Sequence, residues 1–129
     1  MITKDYLPPN TPIVSNFLVL EDVSSFVTFA HNTFDAQVVK EHKDSLGNYL
    51  NASLRIENAI ITIEQVSLER KPTMTSMLIY VENVEAVIEN AHEYASVKHQ
   101  PTTNSEGERV ACIEDKWGNL WWLASALGK

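Results

Sequence analysis

The strongest constraint on this chain is that it repeats itself. Phe17-Leu18-Val19-Leu20-Glu21-Asp22-Val23 aligns with Leu78-Ile79-Tyr80-Val81-Glu82-Asn83-Val84 at an offset of 61 positions. The same offset matches Phe26-Val27 with Val87-Ile88 and Ala30-His31 with Ala91-His92. With one residue deleted, an offset of 60 matches Gly47 with Gly107 and Ile60-Ile61-Thr62-Ile63 with Leu120-Trp121-Trp122-Leu123. Identities are sparse, but apolar, capping and glycine positions keep their order. A period of this length signals one supersecondary unit used twice. The reading is two modules, about 12–66 and about 74–127, within one domain.

Each half spells the same unit. A short strand (about Val14–Leu20; about Met77–Val81) ends at Asp22 or Asn83, whose side-chain oxygens suit a helix N-cap. Apolar residues then follow at helical spacing: Val23, Phe26, Val27, Ala30 and Phe34 in one half, and Val84, Val87, Ile88, Ala91 and Ala95 in the other. Polar turns at Asp44–Gly47 and Asn104–Gly107 precede two more strands each, with tight turns at Asn58 and Gly118-Asn119. A further strand is expected over about Ala36–His42; its counterpart near Val97–His99 reads as short and weak. Strand alternation puts Leu50, Ala52, Leu54 and Ile56 on one face, and Tyr49, Asn51, Ser53 and Arg55 on the other. In the second half Met77, Ile79 and Val81 oppose Ser76, Leu78 and Tyr80. The uniformly apolar sets are expected on the helices; the mixed sets are expected to line the opposite, concave face, where a ligand would sit.

Composition narrows the function. Ten basic residues face 17 acidic ones, a net charge of −7, with no basic stripe. Nucleic-acid affinity rests largely on Lys and Arg neutralising phosphates, so a nucleic-acid partner is not expected. No apolar run reaches the roughly 18 residues of a membrane span, so no membrane partner is expected either. Met1–Pro12 shows no basic n-region followed by an apolar stretch, and is read as lacking a signal peptide. The single cysteine, Cys112, cannot form an internal disulfide, which fits a cytoplasmic protein.

Several segments together carry a resemblance. Phe17–Asp22, Thr28-Phe29 and Phe34-Asp35-Ala36 are similar to the strand, helix and "FGA" turn of the PhnB-like branch of the vicinal-oxygen-chelate superfamily (glyoxalase, bleomycin-resistance and extradiol dioxygenase proteins). Leu50–Ile56 resembles its "HAELRIG" strand, with Asn51 where the family often has His. Gly107-Glu108-Arg109 and Asp115–Trp121 resemble its "GDR…DPFGHRW". The resemblance implies an α+β fold of two tandem βαβββ modules forming a curved mixed sheet around a concave cleft, helices on the convex face. In metal-dependent members four cleft positions supply His and Glu; these fall at Ser15, Thr62, Ser76 and Trp122. Hydroxyls and an indole make a poor ligand set, so neither a metal nor another cofactor is expected. Without a Lewis acid, the glyoxalase and dioxygenase activities of the family are not expected.

The expected binding residues are Ser15, Phe17, Asn51, Thr62, Glu64, Ser76, Tyr80, Arg109 and Trp122. Glu64 shares a face with Thr62 and reads either as a carboxylate at the cleft rim or as a solvated strand end. Ser15 and Ser76 are equally readable as ordinary small strand residues. Arg109 matches Tyr49 in the repeat and is expected to face the cleft. There it either orients an anionic or carbonyl group or pairs with Glu106, Glu108 or Glu64. Trp121 shares parity with Leu123 and should be core, whereas Trp122 should floor the pocket. Trp117 lies in a turn and caps either the cleft or a dimer contact. Cys112 is read as an inert thiol sharing a core face with Val110. His31 and His92 suit helix C-termini; His42 and His99 read as solvated. No nucleophile-plus-base motif or phosphate-cradling glycine loop is present. The sequence therefore points to a metal-free small-molecule-binding homodimer that would sequester a drug or metabolite, with no catalytic residue assigned and enzymatic activity left open. The alternatives are an atypical metal-independent lyase or isomerase using Glu64, Tyr80 or Arg109, and an accessory partner with no ligand.

Overall fold

A computed structural model describes residues 5–128. Residues 1–4, on which part of the signal-peptide reading falls, lie outside the described residues. The first half runs β1 (Asn16–Leu20), α1 (Val23–Phe34), β2 (Gln37–Lys43), β3 (Tyr49–Ile56) and β4 (Ala59–Gln65). The second runs β5 (Ser76–Tyr80), α2 (Val84–Ala91), β6 (Ala95–Thr103), β7 (Arg109–Asp115) and β8 (Leu120–Ser125). Each half builds a four-stranded mixed sheet, in the orders β1-β4-β3-β2 and β5-β8-β7-β6. In each, the first and last strands are parallel and the remaining pairs antiparallel. The βαβββ plan is present twice, in an α+β fold.

The helices begin where the capping chemistry puts them. Asp22 accepts the Ser25 amide at 3.2 Å and Asn83 accepts that of Ala86 at 3.0 Å, each relieving an orphan donor of the first turn. At the other helix ends, His31 Nδ1 meets the Ala36 carbonyl oxygen at 3.0 Å and His92 Nδ1 that of Glu89 at 2.7 Å. β6 is far longer than expected, at nine residues. All of them are exposed or half-buried, so the strand carries no apolar alternation to read.

One buried cluster joins both sheets and both helices. Its centre is aromatic. Trp121 of β8 lies 4.6 Å from Phe34 and 5.9 Å from Phe29 of α1, centroid to centroid. Trp117 packs 5.1 Å from Phe26, and its indole N–H donates to the Glu21 carbonyl at 2.6 Å. This turn residue therefore ties the two halves together instead of capping a cleft. Beneath it, the buried Asp115 carboxylate accepts four N–H donors: the Trp117 and Asn119 amides at 2.9 Å each, the Asn119 side chain at 3.1 Å and the Trp121 indole at 2.9 Å.

β3 departs from simple alternation. Lys43 pairs with Tyr49 and His42 with Asn51, so Leu50 is an extra residue, a β-bulge. Leu50 is accordingly 39% exposed, although alternation assigns it to the core. Tyr49 instead turns to the core side and packs partly against the buried cluster.

Trp121 is 1% exposed and its neighbour Trp122 37%, so the two differ sharply in what they support. Trp121→Ala is expected to cost about 3–5 kcal/mol, the range for a buried large aromatic. Trp122→Ala should cost about 1 kcal/mol, since the indole lies on the outer face and outside the buried cluster. Denaturant melts of the two variants check this; equal midpoints contradict the assignment of faces.

Candidate functional site

The ladder registers define two chemical faces opposite the helices. On the first sheet, Phe17 lies level with Thr62, and Thr62 with Ser53; Glu64 lies level with Asn51. The Ser53 and Thr62 hydroxyls share a hydrogen bond of 3.1 Å. Arg70, from the connection after β4, meets Glu64 at 3.3 Å and places its guanidinium 6.0 Å from the Phe17 ring. This wall is polar, with one aromatic ring at its edge. Phe17, Asn51, Thr62 and Glu64 are thus brought together.

The second face is aromatic. Leu78 lies level with Trp122, and Tyr80 with Ala124. Leu78 is 64% exposed, Tyr80 58% and Phe17 48%, large apolar surface for strands that are otherwise packed on their inner side. Cys112 lies level with both Trp122 and His99. The His99 ring stacks on Trp122 at 5.0 Å with an interplanar angle of 26°. Ladder irregularities flank His99 on both sides, and bulges of this kind re-aim side chains. His99 is therefore part of the face, not a free surface residue; its signal was invisible because the strand itself was not readable. Cys112 is fully buried, and burial pushes its thiol up from the ordinary value. It belongs with Val110 to this aromatic face rather than to the core between helix and sheet.

Tyr80 donates its hydroxyl to Glu108 Oε2 at 3.1 Å. That hydrogen bond, and the charge behind it, raise the phenol above its ordinary value. Ser76, on the same strand, is exposed and lies level with Leu120. Ser15 precedes β1. With Tyr80 it borders a groove of about 630 Å³ between the start of β1, the β3–β4 turn and β5. Eight of the nine expected binding residues thus fall into two walls and a groove, not into a single pocket; Arg109 falls in none of them.

Arg109 is not on either face. It shares parity with the buried Ala111, Ile113 and Asp115, and its guanidinium reaches α2. Nη2 lies 2.8 Å and Nε 3.1 Å from Glu85 Oε2, and Nη1 donates to Thr103 at 3.3 Å. The repeat correctly equated Arg109 with Tyr49. The bulge at Leu50 reverses the parity of Tyr49, so the cleft-facing orientation carried from Tyr49 to Arg109 was inverted.

Metal binding meets a mismatch of donors. Ser15, Thr62, Ser76 and Trp122 offer three hydroxyls and an indole, and Thr62 is already engaged by Ser53. Neutral hydroxyls are weak ligands and indole nitrogen has no free lone pair, so these residues do not fit a divalent transition ion. Among the described residues, no group of three or more His, Cys, Asp or Glu side chains is arranged to hold one.

No family model and no curated protein matches the sequence. Solved structures do. TioX from Micromonospora sp. ML1 superposes with a TM-score of 0.70 at 17% identity, over 88% of this chain and 99% of that one. A PhnB protein from Bacillus cereus, described as a putative 3-demethylubiquinone-9 3-methyltransferase, gives 0.70 at 17%, over 89% and 100%. The fosfomycin resistance protein FosX from Listeria monocytogenes, in complex with Mn(II) and sulfate, gives 0.67 at 16%, over 88% and 89%. The chain therefore has the vicinal-oxygen-chelate fold. Its likeness extends to the PhnB protein, in keeping with the resemblance of its strand and turn motifs.

The Arg109 pair has a measurable signature. Hydrogen bonding from Arg109 holds the Glu85 carboxyl below the ordinary value. Such a depressed group stabilises the fold fully above its unfolded pKa, and that contribution is lost as pH falls through the folded one. Arg109→Ala is expected to move the Glu85 titration upward to the ordinary carboxylate range, as followed by carboxyl-carbon NMR. An unchanged Glu85 midpoint contradicts the pairing.

Proposed function

We propose that this chain is a small-molecule-binding module, cytoplasmic, acting as a homodimer and without a bound metal. One observation carries the reading: the strands opposite the helices present Phe17, Leu78, Tyr80 and Trp122 to solvent beside neutral and charged hydrogen-bonding groups. Exposed aromatic area rimmed by polar groups is the composition of a ligand or partner surface, since it has no stabilising use in an isolated chain. The homodimer follows from a strand edge. Among the described residues β5 pairs only with β8, which leaves one edge of that strand without a ladder. A two-fold pairing of identical edges is the simplest way to cover it while the aromatic face stays open to a ligand. No helix is long and apolar enough to cross a membrane. The lone buried thiol of Cys112 fits a reducing compartment.

A second reading, a metal-independent lyase or isomerase, is favoured by the Tyr80–Glu108 hydrogen bond. A phenol held protonated beside a carboxylate is suited to donate a proton to a developing oxyanion. Of the other groups expected to serve such chemistry, Glu64 is engaged by Arg70 and Arg109 by Glu85.

Two measurements test the main reading. Light scattering at micromolar concentration is expected to give twice the chain mass; a monomer contradicts the assembly. Elemental analysis after dialysis is expected to give far less than one equivalent of Mn, Fe, Ni or Zn per chain; one retained equivalent overturns the metal-free assignment.

A further inference from the structure

The charge left on the aromatic face specifies what it would recognise. Arg109, the cation expected there, is turned to α2 and held by Glu85. Lys98 is taken by Glu114 at 3.3 Å. Glu108 is half-buried and, among the described residues, has no cationic partner; its contact is the Tyr80 hydroxyl. Glu106 lies close enough to act on the same phenol. A partly desolvated carboxylate beside aromatic rings, with no counter-charge, is an unfilled half of an ion pair.

The rings are placed to complete the other half. Leu78 is level with Trp122 and Tyr80 sits two residues further along the same strand. With strands about 4.8 Å apart and a two-residue rise of about 6.6 Å, the Tyr80 and Trp122 Cα atoms are about 8 Å apart, on one face. That spacing lets a fused two-ring ligand rest on the indole while its charged end reaches the Tyr80–Glu108 pair. The His99 imidazole lies against one side of the indole at 5.0 Å, so a ligand ring takes the other side or displaces the imidazole. Cations gain over an indole or phenol face from the ring quadrupole, and more so beside a carboxylate. The net charge of −7 adds long-range attraction of the same sign.

We propose that Trp122, Tyr80 and Glu108 form a subsite for a planar organic cation, the ring stacked on Trp122 and the charge facing Glu108. This deepens the small-molecule-binding reading and rests on it. It assigns Glu108 as the group that selects ligand charge.

Three fused two-ring probes that differ in charge separate the possibilities by calorimetry on the full chain: 1-methylquinolinium, uncharged quinoline at pH 7.5, and naphthalene-2-sulfonate. The wild-type protein is expected to bind the quinolinium at least tenfold more tightly than the sulfonate. Glu108→Gln keeps an acceptor for Tyr80 and should shrink that preference to below threefold while leaving quinoline unchanged. Trp122→Ala should weaken the quinolinium and quinoline by roughly tenfold, with thermal melts confirming that both variants fold. If the sulfonate binds as well as the quinolinium, or Glu108→Gln leaves the preference intact, the cation assignment is wrong although the surface still binds ligands. If no probe binds in a Trp122-dependent way, the binding reading fails along with it.

Discussion

Trp121 reaches from the second sheet into the rings of the first helix, and its indole N–H is held by a carboxylate that is itself almost wholly enclosed. Asp115 must be fully satisfied there, because an ionised group out of water and without partners is among the most costly things a core can contain. Its four donors come from a span of five residues, Trp117 to Trp121, so the β7–β8 turn is wound around the carboxylate. That winding aims Trp117 and Trp121 together at Phe26, Phe29 and Phe34. The Asn32–Tyr94 hydrogen bond of 2.7 Å and the Trp117–Glu21 bond lie at the margin of the same contact. This junction gives the two halves one shared buried cluster; each half alone would leave an aromatic surface in water.

The junction also decides which surfaces remain available. With most of the inner side of both sheets committed to helices and rings, the opposite faces and the groove between the start of β1, the β3–β4 turn and β5 remain to meet a ligand. They have diverged. Where the first sheet carries Thr62, Ser53 and Glu64, the second carries Trp122, Cys112 and Ala124 at corresponding ladder positions. The duplication preserved the backbone and its caps while the exposed faces took on different chemistry, one wall hydrogen-bonding and the other stacking. This is the expected division of labour in a repeat, since the buried positions are tied by packing and the exposed ones are not.

Much of this was legible in the chain, and the boundary of what was legible is physical. Periodicity and caps report local backbone preference and the side that is buried, which is why both helices, the tandem βαβββ order and the opposite fates of Trp121 and Trp122 could be read from residue patterns. β6 could not, because a strand solvated on much of both sides leaves no alternation. His99, stacked on Trp122, went unseen for that reason.

What the sequence by itself determined is therefore the repeated unit, its caps and most of the apolar inner faces. What only the tertiary structure decided is where the polar side chains point. One unpaired residue, Leu50, reverses the parity of everything on its far side, and no propensity marks a leucine as a bulge. Arg109 itself follows the regular alternation of β7 to the helix layer, where Glu85 receives it; the reversal at Leu50 misplaced only the orientation expected for it from Tyr49. The bulge is set by how β2 and β3 meet, a pairing between segments, and a pairing is a property of the folded sheet rather than of either strand.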